Sequence, residues 1–206
     1  AMMSLANAEE RSADRILWSV EWNPKGSQFA VGGVNTLWLF DAKTFERKSL
    51  LSVASQDIQV ADDIESTDVT TVSWHPIRNK LAVSSQGENV NGIYDINSGT
   101  RIPLKVDHGR GVDWKTKGDI VATASPGDGH LRIWKSDGTL LHDIPRYESA
   151  RALTGIAWHP SGDRMVTIGK YITLHDSEGR VTKQITHRPE SKGDCLLLCV
   201  EWHPSG

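Results

Sequence analysis

Tryptophan recurs at a regular spacing in this sequence, and this spacing constrains the fold more than any other feature. Five of the eight tryptophans end a short run of apolar and β-branched residues and precede a turn; they are Trp22, Trp74, Trp114, Trp158 and Trp202. Their separations are 52, 40, 44 and 44 residues. A recurring period of 40–45 residues indicates repeated structural units, because each such unit buries its faces only against its neighbours.

Each repeat contains four short apolar runs that are separated by turns. The first run ends at the tryptophan and is followed by proline or glycine at positions that suit a type I turn. The third run ends in an aromatic–Asp pair or its equivalent: Phe40-Asp41, Tyr94-Asp95, Trp134-Lys135 and His175-Asp176. Four short strands joined by tight turns indicate an all-β repeat and not a βαβ unit. The sequence therefore predicts a β-propeller of four-stranded antiparallel blades, with the first strand of each blade lining the axis.

These residues resemble the WD40 family of β-propellers over about residues 16–206. The resemblance rests on the first-strand aromatic, the Pro-x-Gly turn and the aromatic–Asp pair. The full Trp-Asp dipeptide does not occur, and only Asp107-His108 approaches the Gly-His pair of the family. The resemblance implies that Thr123, Asp128 and Trp134 contribute to a hydrogen-bonded network in the third repeat. It also implies a non-catalytic scaffold within a larger assembly.

The repeats suggest boundaries along the chain. We expect an N-terminal tail over residues 1–13 and a partial WD40-like propeller over 14–206, with repeats at about 16–64, 65–106, 107–145 and 146–191 and the start of a fifth at 192–206. The resemblance implies a ring of about seven blades, which needs roughly 300 residues. We therefore expect four blades and one extra strand of an incomplete ring, completed by a missing C-terminal half or by self-association.

Composition excludes several classes of partner. Lys and Arg number 23 and Asp and Glu 26, for a net charge of −3, which argues against binding to nucleic-acid backbones. No apolar run approaches the roughly 18 residues of a membrane helix, so no membrane partner is expected. Two cysteines are too few for a disulfide scaffold, so a reducing, cytoplasmic location is expected.

Residue types that often carry chemistry have structural explanations here. The turn histidines His75, His159 and His203 occur one per blade, too far apart for the roughly 2 Å bonds of one metal site. Cys195 and Cys199 would lie about 13 Å apart in a strand, which predicts free thiols. No phosphate loop, zinc-protease helix or nucleophile elbow is present. We expect no enzyme activity, no metal and no cofactor.

Acidic residues allow two interpretations. Glu21, Asp113 and Glu201 directly precede repeat tryptophans, and because buried carboxylates need partners, we expect hydrogen bonds or salt bridges between blades. A second set lies six to eight residues before a tryptophan: Asp14, Asp68, Asp107 and Asp194. If these ringed the channel mouth and held a cation, the protein would be a hydrolase-type propeller enzyme. This remains the alternative to a binding module.

A partner surface is expected where loops share one face of the propeller. The loops that enter each first strand and those that join the second and third strands lie on that face in a WD40-like arrangement. On repeats one and two the face is predicted to be acidic, through Asp62, Asp63, Glu65 and Asp68. On repeats three and four it carries His108, Arg110, His130, Tyr147, Arg151, Lys170 and Tyr171. We expect a dipolar peptide or protein to bind there, with Arg110, Tyr147 and Arg151 as anchors.

Overall fold

The fold consists of four antiparallel sheets, each with four strands in sequential order. The structure is a computed structural model that describes residues 16–50, 68–145, 153–186 and 197–206. Within these ranges the sole helical element is a single 3-10 turn, Glu88–Val90. The predicted fold class, an all-β propeller of four-stranded antiparallel blades, is confirmed.

The strand bounds follow the four apolar runs of each repeat. Blade 1 comprises β1 (Leu17–Trp22), β2 (Gln28–Gly33), β3 (Thr36–Asp41) and β4 (Arg47–Ser49). Blade 2 comprises β5 (Val69–Trp74), β6 (Lys80–Ser85), β7 (Gly92–Asp95) and β8 (Arg101–Pro103). Blade 3 comprises β9 (Gly111–Trp114), β10 (Ile120–Ala124), β11 (His130–Lys135) and β12 (Leu140–Pro145). Blade 4 comprises β13 (Leu153–Trp158), β14 (Arg164–Gly169), β15 (Tyr171–Asp176) and β16 (Val181–Thr186).

The first strand of each blade is the innermost. Strand β1 packs beside β5, β5 beside β9, and β9 beside β13. These first strands therefore form a continuous inner wall, as predicted, and the loops that connect the strands lie at its two ends.

The hydrophobic core lies between blades and not within any one of them. One apolar cluster joins Leu37 and Leu39 of blade 1 to Trp74 of blade 2. The next two clusters place Trp114 between blades 2 and 3 and Trp158 between blades 3 and 4. Three of the five repeat tryptophans, Trp74, Trp114 and Trp158, therefore lie in the core between blades.

Trp22 of blade 1 differs from its counterparts in the later repeats. Its exposed fraction is 54 %, whereas those of Trp74, Trp114 and Trp158 are 4–5 %. Each buried tryptophan packs against the preceding blade, and no described residue occupies that position before blade 1. The exposed residues Leu17, Trp18 and Val20 lie on the same strand.

Residues 197–206 continue the arc beyond blade 4. The indole Nε1 of Trp202 donates to the carbonyl of Ala157 at 3.1 Å, as that of Trp74 donates to Glu21 at 3.1 Å. The hydroxyl of Thr154 donates to the carbonyl of Leu197, matching the bond from Thr70 to the carbonyl of Gly109. The segment thus takes the place of a fifth inner strand, although no described strand pairs with it.

The third blade contains part of the network that the WD40 resemblance implies. The indole Nε1 of Trp134 donates to Thr123 Oγ1 at 3.0 Å. In blade 4, Thr167 and His175 form the equivalent pair at 2.9 Å, with histidine in place of tryptophan. Asp128 bonds to neither Thr123 nor Trp134, because Arg132 and the N–H of His130 occupy its carboxylate. The network is therefore present only as the pair from the second and third strands.

Replacing Gly118 by alanine should destabilise the protein more than the same change at Gly26. Both glycines end a first-strand turn with positive φ, +70° and +64°, so the backbone cost is shared. A Cβ at residue 118 would lie within 3.0 Å of three ring atoms of His75, whereas nothing lies within 4 Å at residue 26. We expect an additional loss of about 1–3 kcal/mol in chemical denaturation for Gly118→Ala. Equal losses would show that the His75 ring yields without cost.

Candidate interaction surface

A groove opens where loops of blades 2 and 3 meet the first strand of blade 4. Its volume is about 450 Å³, and its lining comprises Gln86, Asp107, His108, Arg110, Pro126, Gly127 and Thr154. Asp107, His108 and Arg110 belong to the loop that enters a first strand, Gln86, Pro126 and Gly127 belong to loops between second and third strands, and Thr154 lies in β13. The prediction that these two sets of loops share a face is therefore confirmed for blades 2 and 3.

Asp107 and His108 form a fixed pair at the edge of this groove. His108 Nδ1 lies 2.5 Å from Asp107 Oδ1, and Ser125 Oγ donates to the Asp107 carbonyl. A Cβ on Gly127 would lie within 3.0 Å of the Asp107 carbonyl and carboxylate, so only glycine permits this approach. His108 adopts a φ of +47°, which is uncommon for a residue other than glycine and turns the chain sharply before β9.

Arg110 is held in place by hydrogen bonds of its backbone. Its N–H donates to the carbonyl of Ala124 at 3.0 Å, and its carbonyl accepts from Thr71 Oγ1 at 2.6 Å. Within the part of the chain that the structure describes, no acceptor bonds to its guanidinium. The groove therefore contains the positive charge of Arg110, whose backbone is held in place by these two hydrogen bonds.

The other predicted partner residues fall into three groups. His130 is paired, its Nδ1 lying 2.5 Å from Asp143 Oδ1, and Arg132 Nε approaches the same carboxylate oxygen at 3.2 Å. Lys170 lies in the turn between β14 and β15, with its Nζ 5.5 Å from the ring centroid of Tyr171. Five predicted residues lie outside the described residues: Asp62, Asp63, Glu65, Tyr147 and Arg151.

A separate set of polar groups connects the inner strands. Glu21 Oε2 accepts the backbone N–H of Trp74 at 2.9 Å, and Asp113 Oδ2 accepts that of Trp158 at 2.6 Å. The prediction that the acids before the repeat tryptophans hydrogen-bond between blades is confirmed for Glu21 and Asp113. Ser73 takes the same role toward the N–H of Trp114, at 3.4 Å, which the sequence analysis did not anticipate. The side chain before each of Trp22, Trp74 and Trp114 thus accepts the backbone N–H of the tryptophan in the next blade.

Burial raises the pKa of both carboxyl groups. The pKa of Glu21 rises to about 8, mainly because burial disfavours its charged form, although the hydrogen bond from Trp74 acts in the opposite direction. The pKa of Asp113 rises to about 6 for the same reason, opposed by hydrogen bonds from Trp158 and Ser73. The charge of Glu201 raises both pKa values further. Near neutral pH these two carboxyl groups are therefore partly protonated while they accept the hydrogen bonds between blades.

The carboxylates proposed for a channel-mouth cation do not form a cluster in the described ranges. Asp107 pairs with His108, and Asp68 Oδ1 is buried without a described hydrogen-bond donor. Asp14 and Asp194 lie outside the described residues. Across residues 16–50, 68–145, 153–186 and 197–206, no three His, Cys, Asp or Glu side chains are grouped to hold a metal ion.

The structure describes all three turn histidines and one of the two cysteines. His75 Nδ1 accepts the N–H groups of Ile77 and Arg78 at 3.1 and 3.0 Å, which confirms its structural role in the turn. His159 and His203 bond in the same way to the serine two residues later. Cys199 is a free, exposed cysteine, and Cys195 lies outside the described residues.

The comparisons with known proteins bear on the fold alone. No protein-family model matches the sequence. The chain is similar to a solved structure of hydrazine synthase from Kuenenia stuttgartiensis, with a TM-score of 0.68 and 15 % sequence identity over 89 % of this chain. This chain spans only about half of that protein, since the match covers 53 % of it. Because 1116 solved chains match, a likeness in fold does not indicate an activity.

The described residues contain no helix of the length and apolarity that crossing a membrane requires.

Proposed function

We propose that the protein is a non-catalytic interaction scaffold, a WD40-like propeller that binds a peptide or protein through the loops of one face. The observation that carries the proposal is the groove beside Arg110. Its walls come from three successive blades, and its cation has no partner among the described residues. Loops on a rigid frame commonly carry binding function, and arginine is enriched among the residues that dominate binding energy.

The blade framework supports this function by keeping the groove in shape. The loop residues Gly109 and Arg110 are tied to the first strand of blade 2 by hydrogen bonds from Thr70 and Thr71 to their carbonyl groups. Binding to such a surface requires little ordering of the protein, which reduces the entropic cost of association. The proposal includes a cytoplasmic location, because the exposed thiol of Cys199 suits a reducing compartment.

A selection from a displayed random peptide library tests the proposal. We expect peptides selected on the protein to bind the Arg110→Ala variant with at least about tenfold lower affinity, equivalent to about 1.4 kcal/mol. Lys25→Ala is the matched control, because Lys25 is an exposed cation in the turn between β1 and β2, at the opposite end of the strands. Peptides that lose affinity for the Lys25 variant, and not for the Arg110 variant, would show that the other face binds.

A further inference from the structure

We propose, resting on the function above, that the groove beside Arg110 recognises a carboxylate group of an acidic peptide. The class of ligand follows from which polar groups of the groove already have hydrogen-bond partners in the protein. Asp107 is the one acid in the described lining, and its Oδ1 is paired with His108 Nδ1. The groove therefore offers a ligand mainly hydrogen-bond donors.

The donors have a geometry that suits a planar anion. The Arg110 guanidinium presents its N–H groups as a fixed fork, which matches the two oxygens of a carboxylate. His108 has a second ring nitrogen, Nε2, that bonds to no described residue, and its side chain is 64 % exposed. The pairing of Nδ1 with Asp107 fixes the ring orientation and leaves this nitrogen available at the rim.

The remaining lining permits close approach of a peptide. Pro126 and Gly127 provide a wall without charged side chains, next to Arg110. A volume of about 450 Å³ lies within the range of about 300–1,000 Å³ that is usual for small-ligand sites. The groove therefore accommodates an acidic side chain or a chain terminus together with its flanking peptide, and not the surface of a folded domain.

The charge of the lining favours a carboxylate over a phosphate. Within the described lining, Arg110 contributes one unpaired positive charge, whereas His108 is paired with Asp107. One unpaired cation matches the single negative charge of a carboxylate. A phosphate group carries about −1.5 to −2 charges and is typically bound by clusters of arginines.

Fluorescence anisotropy with labelled heptapeptide pools tests this assignment. The pools have Glu, Gln, phosphoserine or Lys fixed at the central position and random residues elsewhere, each with a free or an amidated C-terminus. We expect the Glu pool to bind at least about tenfold more tightly than the Gln pool. Stronger binding of free over amidated pools, independent of the central residue, would assign the groove to a terminal carboxylate.

Three variants at one position keep the test independent of folding. Arg110→Ala should remove the preference for Glu over Gln, and Arg110→Lys should retain a weaker preference because lysine lacks the bidentate fork. Arg110→Glu should transfer the preference to the Lys pool, a gain that misfolding cannot produce.

The outcomes separate the two proposals. Equal binding of the Glu and Gln pools, with a loss on Arg110→Ala, would overturn the carboxylate assignment and leave the scaffold function supported. Tightest binding of the phosphoserine pool would replace the carboxylate by a phosphate. Failure of every pool to bind, together with failure of the library selection, would overturn both proposals.

Discussion

Replacing Trp114 by alanine is expected to lower the free energy of unfolding by about 3–5 kcal/mol, the usual cost of truncating a large buried aromatic side chain. Trp114 is 5 % exposed and belongs to the apolar cluster between blades 2 and 3. The His75 ring packs on it with the two ring centroids 4.8 Å apart. The change would therefore open a cavity at a blade junction. Equilibrium denaturation in urea measures the loss.

Trp22→Ala is the matched control for this change. Trp22 occupies the same repeat position, directly before the first turn, but more than half of its surface is exposed. Its truncation should cost less than that of Trp114 by at least about 1 kcal/mol, because less apolar surface returns to water. Equal losses at the two positions would show that the outer face of blade 1 is covered in solution.

The free energy of unfolding should fall as the pH rises from about 5 to about 8.5. Glu21 and Asp113 have raised pKa values in the folded protein, about 8 and about 6. The folded state therefore binds more protons than the unfolded chain in this interval, and ionisation favours unfolding. Their stabilising contribution is complete below the unfolded pKa values and is lost as the pH passes the folded ones. We expect a decrease on the order of 5 kcal/mol between these limits.

Glu21→Gln assigns this pH dependence to its source. The amide oxygen of glutamine still accepts the N–H of Trp74, but the side chain cannot ionise, so the slope above pH 6 should flatten. Asp113→Asn should remove the earlier part of the decrease, below about pH 6.5. Asp95→Asn is the control, because the pKa of this exposed carboxyl is lowered by N–H donors from Ser98 and Asn97, and it stays ionised throughout. A stability that rises with pH in the unsubstituted protein would contradict the assignment.

The repeat pattern predicted the fold well because its signals are local and recur. Each tryptophan is followed by a turn that the nearby residues determine, so strand and turn positions could be read from spacing. The sequence predicted that hydrogen bonds would connect the blades, but it did not identify all of their acceptors. Glu21 and Asp113 were recognised because a carboxylate in an inner strand requires a partner, whereas Ser73 carries no such signal in sequence.

The location of the candidate surface could be predicted from the sequence, but the hydrogen bonds of its side chains could not. Arg110 and His108 were placed on the loop face by repeat logic. The placement of Asp107, the partner of His108, depends on Gly127 and Ser125, which approach it from another loop. His130 was predicted for the same surface, yet it bonds to Asp143 across neighbouring strands. Such pairings depend on how strands and loops pack together, so the repeat pattern of the sequence does not predict them.

The hydrogen bonds that connect the inner strands bear on how a protein of this kind can change in length over evolution. At three junctions the residue before a tryptophan accepts the backbone N–H of the tryptophan in the following blade. Blades 2 and 3 thus each donate on one side and accept on the other. A duplicate of either blade would find a matching donor and acceptor in its neighbours, so these hydrogen bonds would form without compensating substitutions at the new junctions.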